Sequence, residues 1–139
     1  MDASFLEALL KKDHEKHEIA DQIVLGILEN YRICVSMEEY AKVFDIFKEY
    51  EIDFKDKIRR TLVENVTIFS PEKKHVVTAL KIFNDYHQRL SYSDCIVVEY
   101  FKDHDIHHII SFDDKWDYTD EVKRVKGINN HGLIIIPKA

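Results

Sequence analysis

The first thirty residues carry two amphipathic patterns. The apolar positions of the first pattern are Phe5, Leu6, Leu9 and Leu10, and those of the second are Ile19, Ile23, Val24, Ile27 and Leu28. Residues three and four positions apart lie on the same face of a helix, so each set forms one apolar stripe. A polar break over residues 11–14 separates the two sets. The chain is therefore predicted to open with two helices.

Short, uniformly apolar runs alternate with further helical patterns along the rest of the chain. The predicted strands cover residues 31–36, 66–69, 107–112, 122–125 and 133–136. Strands that are apolar throughout, with helices between them, are typical of a parallel sheet covered on both faces. We therefore predict an α/β fold with three layers, α/β/α, and a mainly parallel central sheet.

Three sequence signals mark where helices begin. Ser36 stands three positions before Glu39, and Ser91 stands three positions before Asp94, which is the capping-box arrangement. Ser70 precedes a proline, a pair that is typical of the N-cap and first position of a helix. The apolar stripe predicted for the helix after Ser70 comprises Val76, Val77, Leu80, Phe83 and Tyr86. The helices that begin at Ser36 and Ser70 follow the first and second predicted strands, and the helix that begins at Ser91 precedes the third.

Composition narrows the class of protein. The chain has 139 residues and a mass of 16.5 kDa, which is the usual size of a single domain. Its net charge of −6 is spread along the chain, so general adhesion to nucleic acid or to anionic membranes is not expected. No stretch reaches the ~20 apolar residues of a membrane span, and we expect a cytoplasmic protein without membrane contact. Phosphate-binding glycine loops, nucleophile elbows and dinucleotide fingerprints are absent from the sequence.

Cysteine and histidine suggest no metal chemistry. Cys34 and Cys95 lie 61 positions apart in apolar runs, a spacing that suits neither a disulfide framework nor a zinc site. Both are predicted to be small buried hydrophobic residues. His104 and His108 have i,i+4 spacing, but the helix is predicted to end between them, near residues 103–105. A histidine metal site is therefore not predicted.

Two aspartates are candidates for chemistry at the carboxyl edge of the sheet. Asp113 directly follows a predicted strand, and Asp94 lies in the first turn of the helix before that strand. Ligands in parallel α/β sheets bind beyond the carboxyl ends of the strands. Hard carboxylate oxygens there suit Mg²⁺ or Mn²⁺. The alternative is that Asp94 completes a capping box and Asp113 caps the segment after it.

Two motifs in the second half of the chain identify a resemblance to a known family. Residues 90–94 read Leu-Ser-Tyr-Ser-Asp and open an apolar helix, and residues 111–113 read Ser-Phe-Asp with Trp116 three positions on. Together they resemble the C-terminal half of PIN-domain nucleases, including the VapC-like toxins. Residues 1–10 resemble the opening segment of the same family, with Asp2 at its acidic position. The resemblance covers residues 1–126, and residues 127–139 are predicted to be a C-terminal extension with an extra strand in the same domain.

The resemblance implies a metal-dependent endoribonuclease that hydrolyses RNA phosphodiesters with Mg²⁺ or Mn²⁺. Asp2, Asp94 and Asp113 match three of the family's four acids and are the implied catalytic residues and metal ligands. The additional candidates implied for the metal shell are Asp114 and Glu38, and those for substrate binding are Ser111, Lys42 and Lys115. The implied partners are an RNA substrate, an antitoxin protein and a second copy of the chain.

The chain departs from the family pattern at two places. Lys42 stands six positions after Ser36, where the family pattern has its remaining acid. Glu38, one turn earlier, either reaches the site or pairs with Lys42 at i,i+4 spacing. The alternative function is therefore a degenerate PIN domain that binds RNA or protein without cleaving it.

The second departure is the family's first strand, which has no counterpart before Asp2, because only Met1 precedes it. The extra strand over residues 133–136 either fills that place, from its own chain or from a neighbouring subunit, or adds an edge strand. A gap inside a parallel sheet would leave two rows of backbone groups without partners, so the first alternative has a physical reason.

Overall fold

The computed structural model describes residues 1–27, 31–86, 89–129 and 132–135 of the chain. The helices are α1 Ala3–Leu10, α2 His17–Ile27, α3 Met37–Ile46, α4 Ile52–Asn65, α5 Lys73–Asp85 and α6 Tyr92–Asp103. The strands are β1 Cys34–Ser36, β2 Thr67–Phe69, β3 His108–Ile110, β4 Lys123–Asn129 and β5 Gly132–Ile135. The chain forms two compact units, the first built mainly on Met1–Ser70 and the second mainly on Pro71–Lys126.

The first unit holds a parallel strand pair and the first four helices. β1 pairs with β2 in parallel, with Val35 opposite Ile68. Ser36 ends β1 and caps α3, so the strand passes into the helix without a loop. Helix α1 packs against both α2 and α3. The buried side chains of this unit include Phe5, Leu6, Ile23, Val35, Val43, Phe47 and Leu62.

The second unit packs α5 against α6 beside a short sheet. β3 pairs with β4 in parallel, with Ile109 opposite Arg124. A 3₁₀ helix, Asp114–Tyr118, lies between these strands in the chain. The buried side chains of this unit include Leu90, Val98, Phe101, Ile109, Trp116 and Val125. Aromatic and branched aliphatic groups dominate both sets, and their removal from water stabilises the folded chain.

The α/β alternation predicted from the sequence is confirmed. The two strand pairs β1–β2 and β3–β4 are parallel, as the uniformly apolar runs predict. The second capping box is present with both of its hydrogen bonds, and α6 ends at Asp103 as expected. Asp105, just past this helix, has a φ of 57°, the left-handed conformation in which asparagine and aspartate are enriched among residues other than glycine.

Helix α5 begins later, and buries a different face, than the sequence suggests. Glu72 is the N-cap in place of Ser70, because the His75 ring supplies the acceptor for the Glu72 backbone N–H at 2.8 Å. The predicted apolar stripe is wrong in part, since Val76, Val77 and Leu80 are exposed. The buried face of α5 consists of His75, Ala79 and Ile82. Polar His75 takes a core position because its ring nitrogens are hydrogen-bonded.

The C-terminal strands also differ from the prediction in their limits. β4 continues to Asn129, whereas the predicted strand ends at residue 125. The three-stranded sheet has the order β3-β4-β5, so within the described residues β5 neighbours β4. Both alternatives for the place of the extra strand stay predictions. The predicted positions Leu28 and Ile136 lie outside the described residues. The division between residues 1–126 and 127–139 stays a prediction.

The two thiols lie in different environments. Cys95 is buried, as predicted, and burial raises its pKa to about 11. The prediction is wrong for Cys34, which is half-buried at the start of β1. Its position at the end of a short strand leaves part of the residue in contact with solvent.

None of the helices in the described part of the chain has the length and hydrophobicity that a membrane crossing requires.

Candidate active site

Asp2 lies at the N-terminus of α1 in the first unit. It is the N-cap of this helix, and its Oδ1 accepts hydrogen bonds from the Phe5 backbone N–H at 3.2 Å and from the Ser4 hydroxyl at 2.7 Å. The residue is buried. A carboxylate is stable at this position because the first turn of a helix presents unpaired N–H groups and a partial positive charge.

Glu39 brings a second buried carboxylate to the same helix end. Its Oε2 accepts a hydrogen bond of 2.6 Å from the backbone N–H of Ala3, while its own backbone N–H donates to the Ser36 hydroxyl at 3.2 Å. The Ser36 cap therefore fixes the start of α3 so that residue 39 faces α1. Two acids from distant parts of the sequence, Asp2 and Glu39, both bind the first turn of α1.

Lys42 supplies a cation to Glu39. Its Nζ donates to Glu39 Oε1 at 3.0 Å and lies 3.9 Å from Glu38 Oε1. Glu38 is exposed, whereas Glu39 is buried. The predicted i,i+4 pairing of Glu38 with Lys42 is present, and the shorter i,i+3 contact with Glu39 accompanies it.

Asp94 is a buried acid in the first turn of α6, in the second unit. As the N3 residue of α6 it accepts a hydrogen bond of 3.3 Å from the Ser91 backbone N–H through Oδ2 and completes the capping box. Its side chain is only 5% exposed. This capping role is the alternative expected for Asp94, but it occupies only Oδ2, and Oδ1 accepts a hydrogen bond from the Lys115 ammonium.

Asp113 and Ser111 lie at the end of β3. The Asp113 backbone N–H donates to the Ser111 hydroxyl at 2.9 Å, and Asp113 Oδ1 accepts from the Lys115 backbone N–H at 3.0 Å. These bonds make Asp113 the N-cap of the 3₁₀ helix and fix its carboxylate. Its side chain is 43% exposed, so it remains open to solvent.

The ammonium group of Lys115 joins the two aspartates. Its Nζ lies 3.2 Å from Asp94 Oδ1 and 3.9 Å from Asp113 Oδ2. One cation thus contacts two carboxylates that are nineteen positions apart in the sequence. The same ammonium lies 5.2 Å from the centre of the Trp116 ring, whose face favours a cation.

Arg124 on β4 is held by a different acid. Its guanidinium forms two hydrogen bonds with Asp117, at 2.9 and 2.8 Å, and a third of 3.4 Å with the Ser111 carbonyl oxygen. This bidentate bond to Arg124 lowers the pKa of Asp117, and the same bond raises the pKa of the guanidinium. The pair ties the 3₁₀ helix to the end of the sheet, next to Asp113.

Replacing Asp117 by Asn should lower the free energy of unfolding by about 1–2 kcal/mol at pH 7, because Arg124 loses a charge-assisted, bidentate partner. Since the pKa of Asp117 is lowered in the folded state, the pair stabilises the protein above the ordinary aspartate pKa of about 3.9 and loses its effect as the pH falls below it. Urea unfolding at several pH values measures this. Asp56→Asn is the matched control, because Asp56 binds Arg59 and Arg60, whose side chains are exposed, whereas the side chain of Arg124 is mostly buried. An equal loss in both variants would contradict the prediction.

The structure therefore places the predicted residues in two groups. Asp94, Asp113, Ser111 and Lys115 are together in the second unit, and Asp2 and Lys42 are in the first. The two further metal candidates, Asp114 and Glu38, are exposed. Glu39 was missed as a site residue. Its place in the Ser36-x-x-Glu39 pattern predicts only a local capping role, whereas its side chain binds the Ala3 backbone N–H.

A histidine cluster in the second unit was also missed. The side chains of His75, Asp103 and His104 offer ligand atoms that all lie within 4.8 Å of one another. His75 Nδ1, however, accepts the Glu72 backbone N–H at 2.8 Å, so the ring proton is on Nε2, which lies 3.1 Å from Asp103 Oδ2. A protonated nitrogen is a donor and cannot bind a metal. Lys74 also binds this carboxylate, at 2.9 Å, and we interpret the cluster as structural.

Comparison with known proteins identifies the family and the fold. Residues 1–122 match the family model described as the PIN domain. The structure is similar to the crystal structure of Mycobacterium tuberculosis VapC20, a toxin that cleaves the sarcin-ricin loop, with a TM-score of 0.64 and 13% sequence identity. That similarity covers 81% of this chain and 88% of the toxin, and it shows a shared fold. No curated protein matches the sequence. The predicted PIN-like fold is confirmed, and because the family model spans most of the 139 residues, this chain belongs to the PIN domain family.

Proposed function

We propose that this protein is a metal-dependent endoribonuclease that hydrolyses phosphodiester bonds in RNA. The observation that supports this most is the arrangement of Asp94 and Asp113 around one positively charged group. Two carboxylates that face a common cation are a suitable starting point for binding Mg²⁺ or Mn²⁺, both of which prefer oxygen ligands. The family membership supplies the reaction class.

The proposed metal ligands are four acids. Asp94 and Asp113 come from the second unit, and Asp2 and Glu39 from the first; the participation of the latter two rests on the family pattern of four acids. Glu39 is preferred to Glu38 because its carboxylate is buried and bonded at the same helix end as Asp2. A divalent ion bound by such acids would lower the pKa of a coordinated water and stabilise charge on the phosphate.

The other residues have supporting roles in the proposal. The Ser111 hydroxyl accepts the Asp113 backbone N–H and thereby orients that carboxylate. Lys42 and Lys115 are proposed to contact the phosphates of the substrate, since both are cations next to the acids. Asp114 is exposed at the start of the 3₁₀ helix and remains a candidate for an outer contact to the metal.

The substrate and partners follow from the family. We propose a single-stranded or loop region of RNA as the substrate, an antitoxin protein as the inhibitor, and a second copy of the chain as a partner. The cytoplasm is the proposed compartment. The net charge of −6 means that RNA must be recognised by local basic residues, since the protein as a whole repels a polyanion.

A second function has its own supporting observation. Lys42 binds Glu39 and Lys115 binds Asp94, so two of the buried acids have an internal cation. Ion pairs of this kind satisfy the carboxylates without a metal. A catalytically degenerate PIN domain that binds RNA or a protein is therefore the alternative.

Incubation of the purified protein with RNA and Mn²⁺ tests the proposal. We expect cleavage of a labelled RNA that contains both a stem and a single-stranded loop, and complete loss of cleavage when EDTA exceeds the Mn²⁺. Re-addition of excess Mn²⁺ should restore it. Cleavage that persists in EDTA would contradict a metal-dependent reaction. RNA that is retained on the protein but never cut, over a range of Mg²⁺ and Mn²⁺ concentrations, would favour the binding function.

A further inference from the structure

Lys115 makes two kinds of contact with the candidate metal ligands. Its backbone N–H donates to Asp113 Oδ1 at 3.0 Å, and its ammonium donates to Asp94 Oδ1 at 3.2 Å. The backbone bond belongs to the cap of the 3₁₀ helix and depends on local structure alone. The ammonium bond depends on a flexible four-carbon side chain, which can adopt another conformation without breaking the backbone bond of the cap.

The ammonium is placed where the negative charge is concentrated. Asp94 Oδ1, on α6, lies 3.2 Å from the ammonium nitrogen, and Asp113 Oδ2 lies 3.9 Å from it. The Asp94 side chain is 5% exposed, so this carboxylate would be costly to leave without a cation. Lys115 itself is 27% exposed, which gives its side chain a direct route into solvent.

The neighbouring Arg124 is less able than Lys115 to leave its carboxylate partner. Arg124 is held by two hydrogen bonds to Asp117 and a third to the Ser111 carbonyl. A rigid, bidentate guanidinium cannot leave its partner as readily as an ammonium held by one short contact. Among these two cations of the second unit, Lys115 is therefore the mobile one.

We propose that Lys115 is a displaceable counter-ion, which neutralises Asp94 and Asp113 when no metal is bound and withdraws from them when they take a divalent ion. The inference rests on the proposed function, because it assumes that these two aspartates bind metal. It assigns Lys115 a competitive role, so that this one residue determines how much Mg²⁺ or Mn²⁺ the protein requires.

Competition between Lys115 and a metal ion predicts the direction in which the metal affinity changes. Metal binding must break the Asp94–Lys115 bond, and the free energy of that bond opposes it. Removal of the ammonium abolishes the competition and also leaves Asp94 with an uncompensated charge in the metal-free protein. Both effects favour metal binding. The metal-free protein becomes less stable, and the metal affinity increases.

The test measures Mn²⁺ binding directly, without RNA. Electron paramagnetic resonance of free Mn²⁺ gives the dissociation constant for the whole chain and for three variants. Lys115→Met keeps most of the side-chain length but has no charge, and we expect about tenfold tighter Mn²⁺ binding. Lys115→Arg retains the cation and can bind a carboxylate in a bidentate manner, so its Mn²⁺ binding should be no tighter than that of the original protein. Lys102→Met is the matched control, since Lys102 lies on α6 and pairs with Glu99 at 3.7 Å.

A second measurement covers the case in which a variant is poorly folded. Thermal unfolding should show a lower midpoint for metal-free Lys115→Met than for the original protein, and a larger rise on addition of Mn²⁺. Lys102→Met should show neither change. If Lys115→Met binds Mn²⁺ no more tightly than the original protein, the counter-ion role is wrong.

Asp94→Asn separates this failure from failure of the proposed function. Binding of Mn²⁺ that is lost in Asp94→Asn but unaffected by Lys115→Met overturns the inference and leaves the proposed metal site intact. Mn²⁺ binding that is absent from the original protein and from both variants overturns both. Binding that appears only in Lys115→Met, and disappears when Asp94→Asn is added, supports the inference in its strongest form.

Discussion

Replacing Asp94 by Asn should lower the rate of RNA cleavage in Mn²⁺ by about 100-fold or more, because a neutral amide is a much weaker ligand than a carboxylate. Asp94 is more buried than Asp113, and its carboxylate lies closer to the Lys115 ammonium. The measurement is the initial rate of cleavage of a labelled RNA at saturating Mn²⁺. Loss of activity at this position would identify Asp94 as part of the metal site.

The Asp94→Asn substitution should have little effect on the stability of the fold. An asparagine oxygen can still accept the hydrogen bond of the Ser91 backbone N–H, so α6 should keep its cap. Circular dichroism and thermal unfolding check this. Asp105→Asn is the matched control, since residue 105 is exposed and its φ of 57° suits asparagine. Asp94→Asn that cleaves at the rate of the Asp105→Asn control would rule out Asp94 as a catalytic ligand.

Replacing Phe101 by Ala should lower the free energy of unfolding by about 3–5 kcal/mol, the usual cost of removing a large aromatic group from a core. Phe101 is almost completely buried on α6, and its loss leaves a cavity that neighbouring side chains fill only in part. For a chain of this length we expect the thermal midpoint to fall by roughly 10–17 °C. Urea unfolding followed by circular dichroism gives the free energy.

Val77→Ala is the control for the core prediction. Val77 lies on the exposed face of α5, where its methyl groups remain in water in the folded protein. Its removal should change stability by no more than about 0.5 kcal/mol. A similar loss in both variants would mean that the exposed face of α5 is covered in solution, and that the burial of the two side chains differs less than the structure indicates.

Local patterns were sufficient to predict most elements of the fold. Helix α6 illustrates this, because its N-cap Ser91 and its end near Asp103 both depend on residues within a few positions. The face of α5 could not be predicted in the same way. His75 replaces an apolar residue in the core, and the bonds that make this possible involve Asp103, twenty-eight positions away.

The residues of the candidate site also differ in whether local sequence is sufficient to predict them. The aspartates at positions 94 and 113 were predictable, since each follows from a helix start or a strand end. Glu39 was not, because its partner Ala3 is 36 positions away. Lys115 was predicted as a phosphate contact, but its bond to Asp94 spans 21 positions and gives it an additional partner that no local pattern reveals.

The different environments of the two cysteines have a practical consequence for labelling. Thiol reagents attack the thiolate, and with its pKa at about 11 Cys95 is almost entirely in the unreactive thiol form at neutral pH. Half-buried Cys34 is the more accessible of the two. An alkylating dye used under mild conditions is therefore directed to β1, which offers a single attachment point two residues before Ser36 without any engineered cysteine.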